Sequence, residues 1–278
     1  DQKDELIFNS FLKSVWLDHP YAKSILGKKE NINKIKLIDL HAFHKKYYIP
    51  LNSCIAVAGK LPKNYLDVFK NCKLKESKNN PIDSEQICID QKFIRKGKEI
   101  VFFKDIEFSR IFIAWQIPSS KDQKIILGYE IISSILTDGR NSILNRTLKE
   151  DMQIVESIHS GIQPGEFGSL FIIEACTNKE NVKKVEDSIN NIIEKLITNS
   201  KLNNKIEKAL RIVKSNYIFN LETSSQLSYF YGNHLLWGRL NPHIELINNF
   251  QYWENIDNLK KLIKLFLREK FTFIAQNK

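Results

Sequence analysis

His41 and His44 form the closest pair of potential metal ligands in the 278-residue sequence. A helix would project both rings from one side, which is the arrangement that a zinc site needs. No carboxylate follows at a useful spacing on that face, and Lys45 and Lys46 come directly after the pair. The pattern therefore favours a helix end whose basic residues suit the negative end of the helix dipole, rather than a metal site.

The remaining candidates for chemistry are isolated. His159, His234 and His243 have no nearby partner in sequence, and no Gly-x-Ser-x-Gly segment supplies a nucleophilic serine. Residues 138–141 (DGRN) precede a predicted helix, and the free amide groups at the beginning of a helix could hold an anion. Phosphate-binding loops usually contain several glycines, so the single glycine here favours an ordinary capped helix start. The residues by themselves predict no catalytic centre.

The charge of the chain is basic, with 42 Lys and Arg against 32 Asp and Glu and a formal net charge of +10. These residues are spread along the sequence and form no stripe with interleaved aromatic residues. The distribution favours a lysine-rich surface, and a nucleic-acid-binding protein is kept as a remote alternative.

The cysteines and the apolar segments narrow the class of protein further. No Cys-x-x-Cys pair occurs in the sequence, which predicts free thiols. The cysteines are Cys54, Cys72, Cys88 and Cys176. No apolar run reaches the roughly 18 residues that cross a bilayer, so we expect no membrane partner. The sequence does not determine the cellular compartment of the protein, which would be the cytoplasm or the periplasm if the source is bacterial.

Hydrophobic periodicity defines the elements that must position any site. It predicts helices over 4–17, 33–47, 63–71, 122–137, 141–151 and most of 179–268, and strands over 53–59, 98–104, 109–116, 153–161, 168–176 and 271–275. Residues 73–86 are polar and are the best candidate for a linker. The segments 35–60 and 256–278 both run from an amphipathic helix into a short strand, which suggests duplicated modules.

The beginning of the chain supports the same idea. The sequence starts at Asp1 and its one methionine is Met152, so we expect a processed chain whose parent has residues upstream. If the two helix–strand segments are equivalent, the first module lacks its beginning.

Several motifs together resemble one family. His19-Pro20-Tyr21, the Tyr48-x-Pro-x-Asn52 segment and the run 56–59 (AVAG) resemble the middle of the insulinase-type zinc metallopeptidases. This family includes pitrilysin and the mitochondrial processing peptidases. Residues 136–146 (LTDGRNSILNR), the turn and strand 164–171 and the helices of 201–237 resemble its second module.

The resemblance implies an α+β fold made of modules in which helices cover one side of a mixed β-sheet. Two modules would form half of a clamshell whose substrate chamber surrounds an unfolded peptide, and the leading function is a fragment of a zinc metalloendopeptidase that contributes the chamber wall. The expected organisation is the C-terminal part of a first module (1–75), a linker (76–97) and one complete second module (98–278). Family members hold zinc with His-x-x-Glu-His and a later glutamate, and the zinc activates a water. This sequence lacks that motif, so we expect zinc in the parent protein, with its ligands upstream of Asp1, and none bound by this chain.

The resemblance also implies partners and a substrate contact. Many family members hold substrate with an arginine and a tyrosine seven residues later, and the matching positions are Lys149 and Glu156. Lysine keeps a cation but lacks the bidentate fork of arginine. The expected partner is a peptide or unfolded protein, and a homodimer or heterodimer with a related peptidase chain is possible. A non-catalytic partner subunit of a two-chain peptidase is the alternative function.

Overall fold

The computed structural model of the chain describes residues 2–70, 95–198 and 203–278. The helices in these ranges are α1 (Gln2–Trp16), α2 (Lys29–Ile32), α3 (Leu37–Tyr47), α4 (Tyr65–Lys70), α5 (Gln123–Thr137), α6 (Val182–Thr198), α7 (Asn203–Phe219), α8 (Ser224–Leu236), α9 (Pro242–Glu254) and α10 (Ile256–Ile263). The strands are β1 (Gly97–Phe103), β2 (Ser109–Ile117), β3 (Ser157–Gln163), β4 (Ser169–Thr177) and β5 (Phe271–Asn277).

The five strands form one mixed sheet in the order β1-β5-β2-β4-β3. β1 runs parallel to β5, and all other neighbours are antiparallel. β2 and β4 are nearly continuous runs of buried residues, which is typical of strands covered on both faces. The predicted α+β fold with helices packed on a mixed sheet is confirmed, whereas the expected covering of one side alone is wrong, because α1 lies on one face and α5 and α6 lie on the other.

Each face of the sheet is packed against helices. Phe11 of α1 lies on one face, where its ring stacks on Phe112 of β2 with centroids 4.8 Å apart. On the other face, Phe171 of β4 packs against Tyr129 of α5 and against Phe266, which follows α10. The sheet is therefore the centre of a three-layered core.

The described residues divide into two compact units. The first comprises those within 1–25, 89–214 and 246–278 and contains the whole sheet, and the second comprises those within 26–88 and 215–245. In the second unit, the Thr223 hydroxyl caps α8 by accepting the Gln226 amide at 3.2 Å, and the Cys54 thiol contacts the Gly232 carbonyl at 3.0 Å. The module boundaries 1–75, 76–97 and 98–278 stay a prediction, and most of the linker lies outside the described residues.

The strand predicted over 53–59 is wrong, because the structure gives this segment no ladder partner among the described residues. Its apolar, β-branched composition suits a strand, but a strand forms only where a neighbouring backbone pairs with it. Gly59, at φ +135°, also leaves the extended region available to other residues.

Other element boundaries shift by a few residues. α3 begins at Leu37 rather than residue 33, and the helix predicted over 141–151 contains a π-helical segment, Asn145–Asp151. β3 begins at Ser157 rather than residue 153, because Gln153 adopts φ +52° and turns the chain out of the preceding helix. No helix among the described residues is long and apolar enough to cross a membrane.

Candidate functional site: the two edges of the sheet

The outer edge of β1 is the first candidate site. Two bonds fix its pairing with β5: the Gly97 amide donates to the Lys270 carbonyl, and the Lys278 amide donates to the Phe103 carbonyl, both at 3.1 Å. In a parallel ladder every second residue bonds to the same neighbour, so the residues between point their backbone groups the other way. Those outward residues are Lys98, Ile100 and Phe102.

Two of the three outward side chains on this edge are apolar and accessible. Ile100 is 47% exposed and Phe102 is 52% exposed. Native sheets usually protect such an edge with charges, proline or a bulge, because an exposed apolar edge accepts another strand. β1 carries charge at its beginning, at Lys98 and Glu99, whereas its later outward residues Ile100 and Phe102 are apolar.

A groove of about 400 Å³ runs beside Ile100, between the sheet and the beginning of α6. Its apolar floor includes Val182 and Ile274, and its charged rim holds as many lysines as carboxylates. Lys98 of β1 and Glu186 of α6 form an ion pair across it at 2.5 Å. The groove therefore offers an apolar floor with a balanced charge around it.

The outer edge of β3 is built differently, because α5 covers it. The Ser160 amide donates to the Thr137 hydroxyl at 3.0 Å, and the Ser160 carbonyl accepts the Ser133 hydroxyl at 2.8 Å. Both outward backbone groups of Ser160 are thus satisfied by one helix face, since residues 133 and 137 are one turn apart. Ile158, the preceding outward residue, is 1% exposed.

We call Ser133, Thr137 and Ser160 the hydroxyl cluster. Its three side chains also bond to one another, with Thr137 Oγ1 and Ser160 Oγ at 2.8 Å and Ser133 Oγ and Ser160 Oγ at 3.0 Å. Sequence reasoning missed this cluster and the β1 edge. The i, i+4 spacing of Ser133 and Thr137 in an otherwise apolar helix was the one available signal for the cluster.

Lys149 and Glu156, the predicted substrate contacts, are both exposed. Lys149 lies in the π-helical segment, and Glu156 lies just before β3, where its amide donates to the Cys176 carbonyl at 2.8 Å. Neither forms an ion pair with another described residue. The structure shows both side chains accessible and no direct contact that joins them.

A charged group lies on the α1 face of the sheet. Arg110 of β2 bonds to Asp4 of α1 at 2.8 Å and reaches Glu174 of β4 at 3.8 Å. Burial raises the pKa of Glu174, and the Arg110 guanidinium opposes this shift. Burial also raises the pKa of the Cys176 thiol, so that cysteine stays protonated near neutral pH and is a poor nucleophile.

The donor set of the described residues does not fit zinc. No group of three or more His, Cys, Asp and Glu side chains in this part of the chain lies close enough to hold a metal ion. His41 and His44 are exposed on α3, and the His44 ring stacks on Tyr48.

Comparison with protein families identifies the chain. Residues 34–211 match the family described as the Peptidase M16 inactive domain, which is more than half of the sequence. The chain belongs to this family. The resemblance to insulinase- and pitrilysin-type peptidases is thereby confirmed.

Similar proteins carry the names of zinc proteases. The chain is 23% identical to the zinc protease PqqE of Helicobacter pylori over 239 residues, which cover 83% of the chain and 52% of that protein. It is 21% identical to an uncharacterized zinc protease of Rickettsia bellii, covering 94% of the chain and 63% of that protein. The M16 chain thus spans about half to two-thirds of the length of these curated relatives.

A crystal structure of a protease from Helicobacter pylori has the same fold. It superposes with a TM-score of 0.77 at 19% identity, covering 98% of this chain and 66% of that one. At this identity the likeness establishes the architecture, including the placement of helices on the mixed sheet.

Proposed function

We propose that the chain is the non-catalytic portion of an insulinase-like zinc metalloendopeptidase. In this proposal it supplies part of the wall of the substrate chamber and binds peptide, while the zinc ligands lie upstream of Asp1 in the parent protein. Membership in the inactive-domain family supports a non-catalytic role, and the names of the relatives support zinc in the parent. Their greater length leaves room for a further segment that carries the metal.

The observation that carries the peptide-binding role is the unpaired outer edge of β1 in the described structure. Its outward backbone groups meet the requirement for adding an extended peptide, which is a common mode of peptide recognition. A peptidase that acts on unfolded chains needs such a surface, because an unfolded segment presents its own backbone groups.

The second compact unit supports the idea that more of the parent protein packs here. α3 leaves four large apolar side chains between 56% and 72% exposed, namely Leu37, Ile38, Leu40 and Phe43. Contiguous exposed apolar surface usually marks an interface. In our proposal the upstream part of the first module covers α3 and also pairs with the unladdered run 53–59.

Lys149 and Glu156 are proposed as substrate contacts of the chamber wall. Both side chains are exposed, so a peptide can reach them. Lys149 would attract a carbonyl or carboxylate as a point charge, whereas Glu156 would favour an amide or a basic side chain. A charge-reversed pair, K149E with E156K, should therefore change which peptide termini the parent prefers.

The parent protein provides the test of this function. We expect it to cleave an unfolded protein such as reduced, carboxymethylated lactalbumin, and we expect a chelator to abolish the cleavage and added zinc to restore it. The isolated 278-residue chain should bind peptide without turnover. A parent sequence without His-x-x-Glu-His, or zinc-dependent turnover by the isolated chain, would contradict the proposal.

The description of the family as inactive favours one second candidate, a non-catalytic partner subunit of a two-chain peptidase. In that case the chain should co-purify with a homologue that carries the zinc motif, and cleavage should require both chains. Replacement of the family's arginine and tyrosine by Lys149 and Glu156 speaks against this candidate, because the partner chain commonly supplies those residues.

A further inference from the structure

We propose that His19 is a pH-sensitive switch. In its neutral form the imidazole holds the turn between β3 and β4 (residues 164–168) against the end of α1, and protonation of the imidazole releases that turn. The proposal goes beyond the function proposed above, which gives no role to the His19-Pro20-Tyr21 segment.

The imidazole of His19 caps the short 3-10 helix Pro20–Ala22, which follows α1. Its Nδ1 atom accepts the backbone N–H of Tyr21 at 3.1 Å. An imidazole nitrogen accepts a hydrogen bond only when it carries no proton. Protonation of the ring at this atom would set an N–H group against the N–H of Tyr21. The capping bond therefore belongs to the neutral form of His19.

His19 lies in an enclosure of aromatic rings and is 5% exposed. Its ring centroid lies 4.9 Å from that of Trp16 and 4.5 Å from that of Tyr21. The charged residues closest to it in sequence, Asp18 and Lys23, are exposed. Burial lowers the pKa of His19. An imidazolium could gain cation–π contact with the two rings, but it would lose its water and the capping bond together.

Tyr21 connects His19 to the turn. The Tyr21 hydroxyl oxygen accepts the backbone N–H of Phe167 at 3.2 Å. Gly165 allows the tyrosine ring to lie against the backbone of the turn, because a Cβ atom at this position would be 2.6 Å from Cε2 of Tyr21. One residue is thus capped through its amide by His19 and bonded through its hydroxyl to the turn. Loss of the cap frees the residue that holds the turn against α1.

A second attachment of the turn does not involve His19. The Ser120 amide donates to the Gly165 carbonyl at 2.9 Å, and Lys121 forms an ion pair with Glu166 at 2.9 Å. These contacts contain no histidine and lie in the segment between β2 and α5. Protonation of His19 should therefore separate the turn from the end of α1 and leave this second attachment in place.

The direction of the pKa shift sets the pH range of the switch. With the turn held, the pKa of His19 lies below its ordinary value of about 6.5, whereas a hydrated ring in the released form titrates near that value. The released form binds more protons between these two pKa values. Each pH unit of acidification in this range favours release by up to about tenfold, and above about pH 6.5 the turn stays held.

Hydrogen exchange of the Phe167 amide in the 278-residue chain tests the switch. Each rate is divided by the rate of an unstructured amide at the same pH. We expect the protection of Phe167 to fall by about three- to tenfold between about pH 7.5 and about pH 5.5, together with protonation of the His19 ring recorded by NMR. The Ser120 amide reports the second attachment and should keep its protection within about twofold.

Two variants separate the parts of the switch. In H19N the carboxamide oxygen can accept the Tyr21 amide at every pH, because asparagine is a good cap at the beginning of a helix, so the protection of Phe167 should not depend on pH. In Y21F the imidazole still titrates but the Phe167 amide has lost its acceptor, so this amide should exchange fast at both pH values. Thermal melting at about pH 7.5 verifies that each variant keeps the fold.

Four results would overturn the proposal. One is equal protection of Phe167 at both pH values while the His19 ring is protonated at the lower one. Another is a His19 ring that stays neutral at about pH 5.5. A pH response in H19N equal to that of the wild type would mean that a different group titrates. An equal loss of protection at Ser120 would mean that the whole unit opens instead of the turn.

Discussion

Replacing Thr137 with valine tests how α5 closes the β3 edge. Valine is nearly isosteric with threonine, and Thr137 is 7% exposed, so the change removes one buried hydroxyl and little else. The Ser160 amide then loses its acceptor, which lies at 3.0 Å, while the Ser160 hydroxyl keeps Ser133 as a partner. A buried donor without a partner costs about 1–3 kcal/mol, and we expect that loss in the free energy of unfolding.

Urea unfolding of T137V, followed by far-UV circular dichroism, measures this loss. T137S is the matched control, because it keeps the hydroxyl and gives up one methyl group, for a cost of about 0.8 kcal/mol. Hydrogen exchange separates the two variants: the Ser160 amide should exchange faster in T137V and at the wild-type rate in T137S. T137V stability within about 0.5 kcal/mol of wild type, together with an unchanged Ser160 exchange rate, would refute the reasoning.

Three further predictions concern the same compact unit. In G128A the new methyl group would lie 2.5 Å from the Trp253 ring. The overpacking should destabilise the fold by about 1–3 kcal/mol, which should exceed the stabilisation of about 1 kcal/mol that alanine brings to a helix. A melting temperature above that of the wild type would contradict this. F11A removes a fully buried ring that stacks on Phe112, and chemical denaturation should show a loss of about 3–5 kcal/mol, whereas a loss under about 1 kcal/mol would mean that α1 does not seal that face. Burial lowers the pKa of His19, so the folded state binds fewer protons than the unfolded state just below pH 6.5. The free energy of unfolding should therefore fall as the pH drops through this range, by at most about 1.4 kcal/mol per pH unit. Urea unfolding of H19N over the same pH range should not show that slope.

The sequence predicts those elements whose signal is local. β4 and α5 lie within a residue or so of the predicted positions, because a nearly continuous apolar run and a helical apolar face each report burial directly. The run 53–59 has an equally clear strand composition but no ladder in the described structure, because pairing depends on a distant segment of chain. β3 begins four residues after its predicted start for a different reason. Gln153 adopts a left-handed backbone conformation, which a glutamine in the sequence does not indicate.

The candidate site was less predictable than the fold, because an edge is a property of the strand order. Ile100 and Phe102 belong to a correctly predicted strand, yet nothing in 98–104 tells that β5 pairs with only one side of it. Ser160 gives the opposite case, since its closed edge depends on a helix more than 20 residues away in sequence. Strand order follows from long-range packing, and a single sequence does not contain that information in a local pattern.

β2 and β4 are buried on both faces of the sheet, which limits where the proposed peptide could bind. The resemblance suggested a sheet that faces a substrate chamber, which would leave one face available for a peptide. Phe11 instead seals one face and Phe171 lies within the helical layer on the other, so a peptide lying across either face would have to displace part of the core. Displacing one such ring costs about 3–5 kcal/mol, which is comparable with the binding free energy of a millimolar ligand. Pairing along β1 displaces nothing in the described structure, and it is therefore the mode of peptide binding that this architecture permits at the lowest cost.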